Sequence, residues 1–342
     1  MGKTGERSEI IGSSKEITRV LVNRLPYHLK ALANFLMSAV LIIPLVSCVT
    51  TAPTGPGLSA PKNAASAEAL AMSESKLIEG VPHFPQTEDQ CGPASLATLL
   101  NFQLQGQSEK SLTNPEELKS LVYIPGKGGS LALEMKAQLR QRGLLAYEIS
   151  PSVLSVLREI EADNPVLVFL NLGFSFYPKW HFAVALGYDL NRQEIILHSG
   201  LKPNYRMPLS LFEKTWSRAG KWALLAKQPG ELPATAIPSR MLQATIELEQ
   251  LKKVKAANLS YQAMVTKWPE KSAAYFGLAN TYLLLNDLTK ASDAYRDYLD
   301  LDASNPKAWN NMAYSLAAEG CKEAALESAY CAIELGKGAD NY

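Results

Sequence analysis

The chain has almost no charge imbalance, few cysteines and few histidines, and each shortage removes a class of function. Its 34 basic and 33 acidic residues leave a net charge of +1; without a basic footprint, no nucleic-acid partner is expected. Four cysteines in 342 residues, Cys48, Cys91, Cys321 and Cys331, are too few and too scattered for a disulfide framework. The last two stand ten residues apart along what reads as one helix. That is a rise of roughly 15 Å, beyond disulfide reach, and both are read as core residues. The histidines are scattered, with no two-histidine helix motif and no Cys-x-x-Cys pair, so neither metal nor cofactor is expected. Gly126, Gly128 and Gly129 surround Lys127, but without phosphate-loop spacing or a preceding strand they read as a loop.

What is present is globular material in more than one piece. At 47% hydrophobic residues the chain can fill ordinary cores, and its length suggests two domains. Residues 1–30 are polar and end in a basic run with Arg19, Arg24 and Lys30, after which 31–46 is almost continuously apolar. Basic, then apolar, then small residues is the order of an export signal. The apolar run is near the short end for a membrane span and is broken by Asn34, Ser38 and Pro44; an uncleaved anchor is the alternative. It ends in Leu45-Val46-Ser47-Cys48, which resembles the lipobox of bacterial lipoproteins. The resemblance implies a signal peptide over 1–47, a lipid on Cys48 and a membrane attachment through it. Val49 stands where, in the enterobacterial rule, an aspartate would retain a lipoprotein in the inner membrane; for a Gram-negative source the resemblance implies the periplasmic face of the outer membrane. Residues 48–76, rich in Ala, Ser, Thr, Pro and Gly, read as a flexible tether.

Chemistry concentrates in Gln86-Thr87-Glu88-Asp89-Gln90-Cys91-Gly92-Pro93-Ala94-Ser95-Leu96. Gly92 allows a tight turn, Pro93 suits the first turn of a helix, and Ala94, Leu96, Ala97, Leu99 and Leu100 give a helical apolar pattern. Cys91 is therefore predicted at a helix N-terminus, where unpaired N–H groups and the helix dipole favour a thiolate. The bland alternative is a small buried hydrophobe.

Beyond it, Asn114-Pro115-Glu116-Glu117 reads as a capped helix start, and Ser130 as the start of another helix running to Gly143. A strand over 144–149, a helix over about 152–162 and a continuous apolar strand over 165–172 follow. Strands over 181–189 and 194–199 flank Leu190-Asn191-Arg192-Gln193 as a hairpin. A Ser210/Glu213 capping box opens a short helix to Arg218, and 222–226 returns as a strand. Helices first and strands later is an α+β pattern. A cysteine nucleophile needs a base, and imidazole titrates in the right range. His181 is the best placed of His83, His181 and His198, at the start of a strand after the loop Ser175-Phe176-Tyr177-Pro178-Lys179-Trp180. His83, between Pro82 and Phe84, reads as structural.

Gln86, Cys91-Gly92-Pro93-Ala94-Ser95-Leu96 and His181-Phe182-Ala183-Val184-Ala185-Leu186-Gly187-Tyr188-Asp189 together resemble the double-glycine-leader (bacteriocin-processing) cysteine peptidases, over residues 78–227. The resemblance implies an α+β papain-like cysteine peptidase domain at 77–227, with Cys91 as nucleophile, His181 as general base and acid, and Gln86 as donor to the oxyanion. Two departures stand out. Gln86 lies five residues before Cys91 where the family has about six, and Gln90 adjoins the cysteine. The family's aspartate-proline is replaced by Leu197-His198-Ser199-Gly200. If Asp189 pairs with Glu194, His198 falls opposite Ala185 and on the face of His181; a one-residue slip puts Ser199 there. His198 and Ser199 are thus the two candidates to orient His181.

Residues 228–238, with Pro229, Gly230, Pro233 and Pro238, read as a linker. Beyond it the pattern Tyr275-Leu278-Ala279-Tyr282…Ala291…Tyr295 returns after 34 residues as Trp309-Met312-Ala313-Leu316…Ala325…Ala329. This resembles the tetratricopeptide repeat, with copies at 239–271, 272–305 and 306–339 and a helix end at Gly336-Lys337-Gly338, making 239–342 an all-α domain. Such repeats imply a protein partner. The leading expectation is a lipid-anchored envelope cysteine peptidase acting on a peptide or protein substrate. The alternatives are a catalytically weak or inactive papain-like adaptor and a thiol-dependent amidase or acyltransferase.

Overall fold

The computed structural model describes residues 72–85, 90–106, 112–127 and 129–339. Gln86, Cys48, the export signal and most of the tether lie outside the described residues.

The first domain is built on an antiparallel sheet between two helical layers. Its elements are β1 (Ser75–Leu77), α1 (Cys91–Gln103), α2 (Pro115–Val122), β2 (Tyr123–Ile124), β3 (Gly129–Ser130), α3 (Ala132–Gln141), β4 (Leu145–Glu148), α4 (Val153–Glu161), β5 (Val166–Asn171), β6 (Trp180–Asp189), β7 (Glu194–Ser199), β8 (Lys202–Pro208), α5 (Leu209–Arg218) and β9 (Ala223–Lys227). Among the described residues the large sheet has seven strands in the order β4-β9-β5-β6-β7-β8, with β1 on β6. Strand alternation divides its apolar residues between two cores. Leu167, Phe182, Val184 and Leu224 face α1 through Leu96, Leu99 and Leu100. Val168, Leu170, Ala183 and Leu225 face the other layer, with Ile160 of α4 and Phe212 and Trp216 of α5.

Several expected boundaries move. Asn114 caps α2 as predicted, accepting from Glu117 N at 3.0 Å. Ser130, however, does not start α3: it pairs with Tyr123 in a small hairpin, and Leu131 occupies the cap position. The Ser210/Glu213 box does not form either. Helix α5 begins at Leu209, whose N–H bonds Gln193 O at 2.8 Å, and Glu213 pairs with Lys221 at 3.1 Å. The stretch read as tether already holds β1, with Lys76 tied to Asp163 at 2.7 Å. Strand β8 carries mostly exposed polar residues and gave no apolar signal.

Six helices follow, α6 (Pro238–Gln250), α7 (Val254–Lys267), α8 (Ser272–Leu284), α9 (Leu288–Leu301), α10 (Pro306–Glu319) and α11 (Lys322–Ala339), matching the three predicted repeats in pairs. Two details differ from expectation. Helix α11 continues through Gly336-Lys337-Gly338 to Ala339. Cys321 is exposed, in the turn where Gly320, at φ +89°, ends α10, and Cys331 within α11 is half-buried, so neither is a core residue.

The linker is a pinned strap. The buried carboxylate of Glu159 on α4 accepts from Thr235 N (2.7 Å), Thr235 Oγ1 (2.6 Å), Ala234 N (3.1 Å) and Asn164 Nδ2 (2.8 Å). Tyr147 OH accepts from Ile237 N at 3.1 Å. On the far side Lys136 bridges Glu148 and Glu247 at 2.9 and 3.0 Å. The apolar core runs without a break from the sheet through Met241 and Leu248 into the repeats.

Candidate active site

Cys91 is the first residue of α1 and is half-buried, whereas Gly92 through Leu100 are buried. Gln90 provides no side-chain cap to the helix; its amide donates to Glu116 instead. The dipole end is thus not offset by an N-cap side chain, the setting in which a thiolate is favoured. Gly92 is required for packing: a Cβ there would overlap Ser130. The Ser130 hydroxyl is buried with no hydrogen-bond partner, a feature that sequence reasoning missed by assigning Ser130 to a helix start. Cys91, like Phe84, Phe169 and Trp222, packs against the core that contains Phe182.

His181 is the second residue of β6, opposite Leu170 of β5. Its Nε2 lies 2.9 Å from Ser199 Oγ. Burial pushes its pKa down to about 4, and the nearby Lys179 ammonium adds to the shift. At neutral pH the ring is uncharged. Alternation along β6 directs Phe182 to the α1 face and His181 to the face of Leu170 and Ala183.

The two orienter candidates separate cleanly. Asp189 pairs with Glu194 as expected, but β6 bulges at Leu186, so His198 pairs with Val184 rather than Ala185. The bulge carbonyl is taken by Ile78 N at 2.8 Å. His198 is thereby turned to the opposite face from His181, correcting the expected register, and both its nitrogens are used there. Nδ1 accepts from Asn204 N at 3.2 Å and Nε2 donates to Val81 O at 3.1 Å, an arrangement that fixes the neutral tautomer. Burial lowers its pKa, opposed by the Val81 carbonyl and assisted by His83. His83 is itself held by Gly200 O at 3.2 Å and packs edge-on to His198, in keeping with a structural role. Of the two candidates, Ser199 is the one that reaches His181.

Sequence reasoning also missed Asn171, which shapes the loop before His181. Its buried Oδ1 accepts from Gly173 N at 2.9 Å and Lys179 N at 3.0 Å. The available signal was an asparagine ending an apolar run just ahead of a glycine. Beside Ser199 lies a cavity of about 290 Å³ bordered by Leu172, Tyr205, Met207 and Leu211. In the repeats, Phe276 and Asn280 border two further cavities of about 410 and 490 Å³. Asn280 Oδ1 there accepts from Tyr295 OH at 2.6 Å and Asn311 Nδ2 at 3.3 Å. Among the described residues no three His, Cys, Asp or Glu side chains gather into a metal-holding group.

Residues 78–224 match the model of the Peptidase_C39 like family. The match covers less than half of the chain. A structure described as that of a C39-like peptidase from Bacillus anthracis is similar at 17% identity and TM-score 0.36, over 45% of this chain and 98% of that one. Crystal structures of MamA are similar at 16% and 21% identity, both with TM-score 0.29, over 31% and 30% of this chain. The alignments span 61% and 59% of those MamA chains. No curated protein matches the sequence.

Proposed function

We propose that residues 77–227 act as a cysteine peptidase, hydrolysing a peptide bond through a thioacyl intermediate. In this reading a lipid on Cys48 ties the chain to the cell envelope, at the periplasmic face of the outer membrane, and the repeats at 239–342 bring substrate or partner. The placement of Cys91 carries the reading: a half-exposed thiol opening a helix whose following turns are buried. The thiolate attacks the carbonyl carbon, and the electron pair displaced onto oxygen is met by the Gln86 side chain and the Cys91 N–H. His181 takes the thiol proton and returns it to the leaving amine, and water then cleaves the thioester. Because His181 is held by Ser199 on the face of Leu170 and Ala183, this reading requires the imidazole to leave that partner to serve Cys91.

Binding without catalysis is the second reading, and His181 favours it. A ring kept neutral by burial, partnered by a hydroxyl in place of a carboxylate, does little to stabilise a thiolate–imidazolium pair. The test is to label wild type and Cys91→Ala with iodoacetamide near neutral pH and take the difference as the rate at Cys91. Labelling faster than that of a small-molecule thiol supports the peptidase. A rate no faster than that thiol overturns it in favour of the adaptor.

A further inference from the structure

The loop between β5 and β6 holds Phe174, Phe176 and Tyr177 at 66, 87 and 76% exposure. Each aromatic side chain carries about 150–250 Å² of apolar surface, so a patch this open in water calls for a covering partner. The loop is built to hold its shape. Leu172 N bonds Lys179 O at 2.9 Å, Phe174 and Tyr177 exchange backbone bonds at 3.1 and 3.2 Å, Asn171 clamps both ends, and Arg218 donates to Gly173 O. Phe174 stacks on Phe176 with ring centroids 5.4 Å apart, and half-exposed Trp180 stacks on Phe169 at 5.3 Å. At 87% exposure the Phe176 ring projects from the surface, where a peptide groove would wall a side chain in.

Basic residues outnumber acidic ones in the segments that meet at the base of this finger. Arg218 ties α5 to it, and Leu172, Lys202 and Thr215 border one cavity, which brings 172–180, 199–205 and 213–221 together. These three segments carry Lys179, Lys202, Lys214, Arg218 and Lys221 against the single acid Glu213, itself paired to Lys221 at 3.1 Å. In a chain whose net charge is +1 that is a local excess. Rigid aromatics with Tyr and Trp among them, backed by lysines, suit the boundary between headgroups and acyl chains of an anionic leaflet.

We propose that residues 172–180 form a lipid-docking finger that inserts its aromatic rings into an anionic membrane surface. This is independent of the catalytic reading and of any lipid on Cys48. It would hold the start of β6, and His181 with it, close to the bilayer.

The test uses the full-length chain reconstituted with vesicles of phosphatidylglycerol and phosphatidylcholine whose acyl chains are brominated, a quencher that acts only at the membrane. The difference in quenching between wild type and Trp180→Phe isolates Trp180. A clear Trp180-dependent loss of emission is expected, roughly threefold smaller in pure phosphatidylcholine and after Lys179→Glu with Lys202→Glu. The exposed substitution Phe176→Ser should reduce it as well, with circular dichroism unchanged. Equal quenching in wild type and Trp180→Phe overturns the proposal. So does a Trp180 emission shift on adding an acidic, apolar peptide without any bromolipid quenching, which would assign the finger to peptide instead.

Discussion

His181 Nε2 and Ser199 Oγ lie 2.9 Å apart, on strands β6 and β7, where the resembled family places a carboxylate on the second partner. A hydroxyl fixes the ring's direction without supplying charge, and the pKa near 4 reflects burial without an opposing anion. Ser199→Asp should therefore raise the His181 pKa by about 1–3 units. Titration of the imidazole by NMR reads this directly, and the pH profile of Cys91 alkylation should gain a limb at the new value. Ser199→Ala should leave the pKa low while freeing the ring to reorient. An unmoved titration in Ser199→Asp would sever the pair.

The same ring links folding to pH. Its folded-state pKa, about 4, lies below the ordinary 6.5, so between these values the unfolded chain binds the proton and the folded chain does not. Stability is then full above about pH 6.5 and falls as pH drops towards 4, by on the order of 3 kcal/mol from this group. His198 is shifted in the same direction and adds to the slope. Urea unfolding of wild type and His181→Gln from neutral to mildly acid pH should show a flatter dependence in the variant. Parallel curves would mean that the histidine is not held neutral.

Glu159 is the hinge of the strap between the domains. Its carboxylate is fully buried and takes three donors from Ala234 and Thr235 as well as Asn164 Nδ2. Glu159→Ala leaves these donors unpaired, at a cost of about 3–5 kcal/mol. Glu159→Gln keeps the shape but turns one acceptor into a donor facing N–H groups, and should cost less. Calorimetry distinguishes the two, and proteolysis between 228 and 238 should become faster in the alanine variant.

What the sequence made legible were the features with a period or a cap: the α1 helix with Cys91 at its head, the Asn114 cap, the β6–β7 hairpin and the repeat of 34 residues. What escaped depended on tertiary pairing. The carbonyl of the bulge at Leu186 accepts from Ile78 N of a distant segment, and one extra residue in β6 was enough to exchange His198 for Ser199 beside His181. The strand at 202–208 is polar because most of its side chains face water, and the strap at 228–238 looked like a linker because its anchor, Glu159, lies about seventy residues upstream. Gln86 lies outside the described residues, so its role rests on the resemblance alone.

Gly277 of α8 faces the buried ring of Tyr261 on α7, leaving no room for a Cβ. Alanine is the better helix former by about 1 kcal/mol, so an exposed Gly→Ala change would stabilise the helix. Here the opposite should hold. The ring is fixed at its far end by the bond from Tyr261 OH to Glu249 at 2.9 Å, so it cannot swing aside, and overpacking of this kind costs about 1–3 kcal/mol. Gly277→Ala should therefore lower the melting temperature, and Tyr261→Leu in the same chain should recover part of the loss, giving a coupling energy in a double-mutant cycle. The apolar core runs unbroken from Tyr261 through Met241 to Tyr147 and the sheet, so the loss should appear as a shift of one cooperative transition. A variant whose repeats melt alone, ahead of an unshifted first domain, would mean that the shared core does not couple the two.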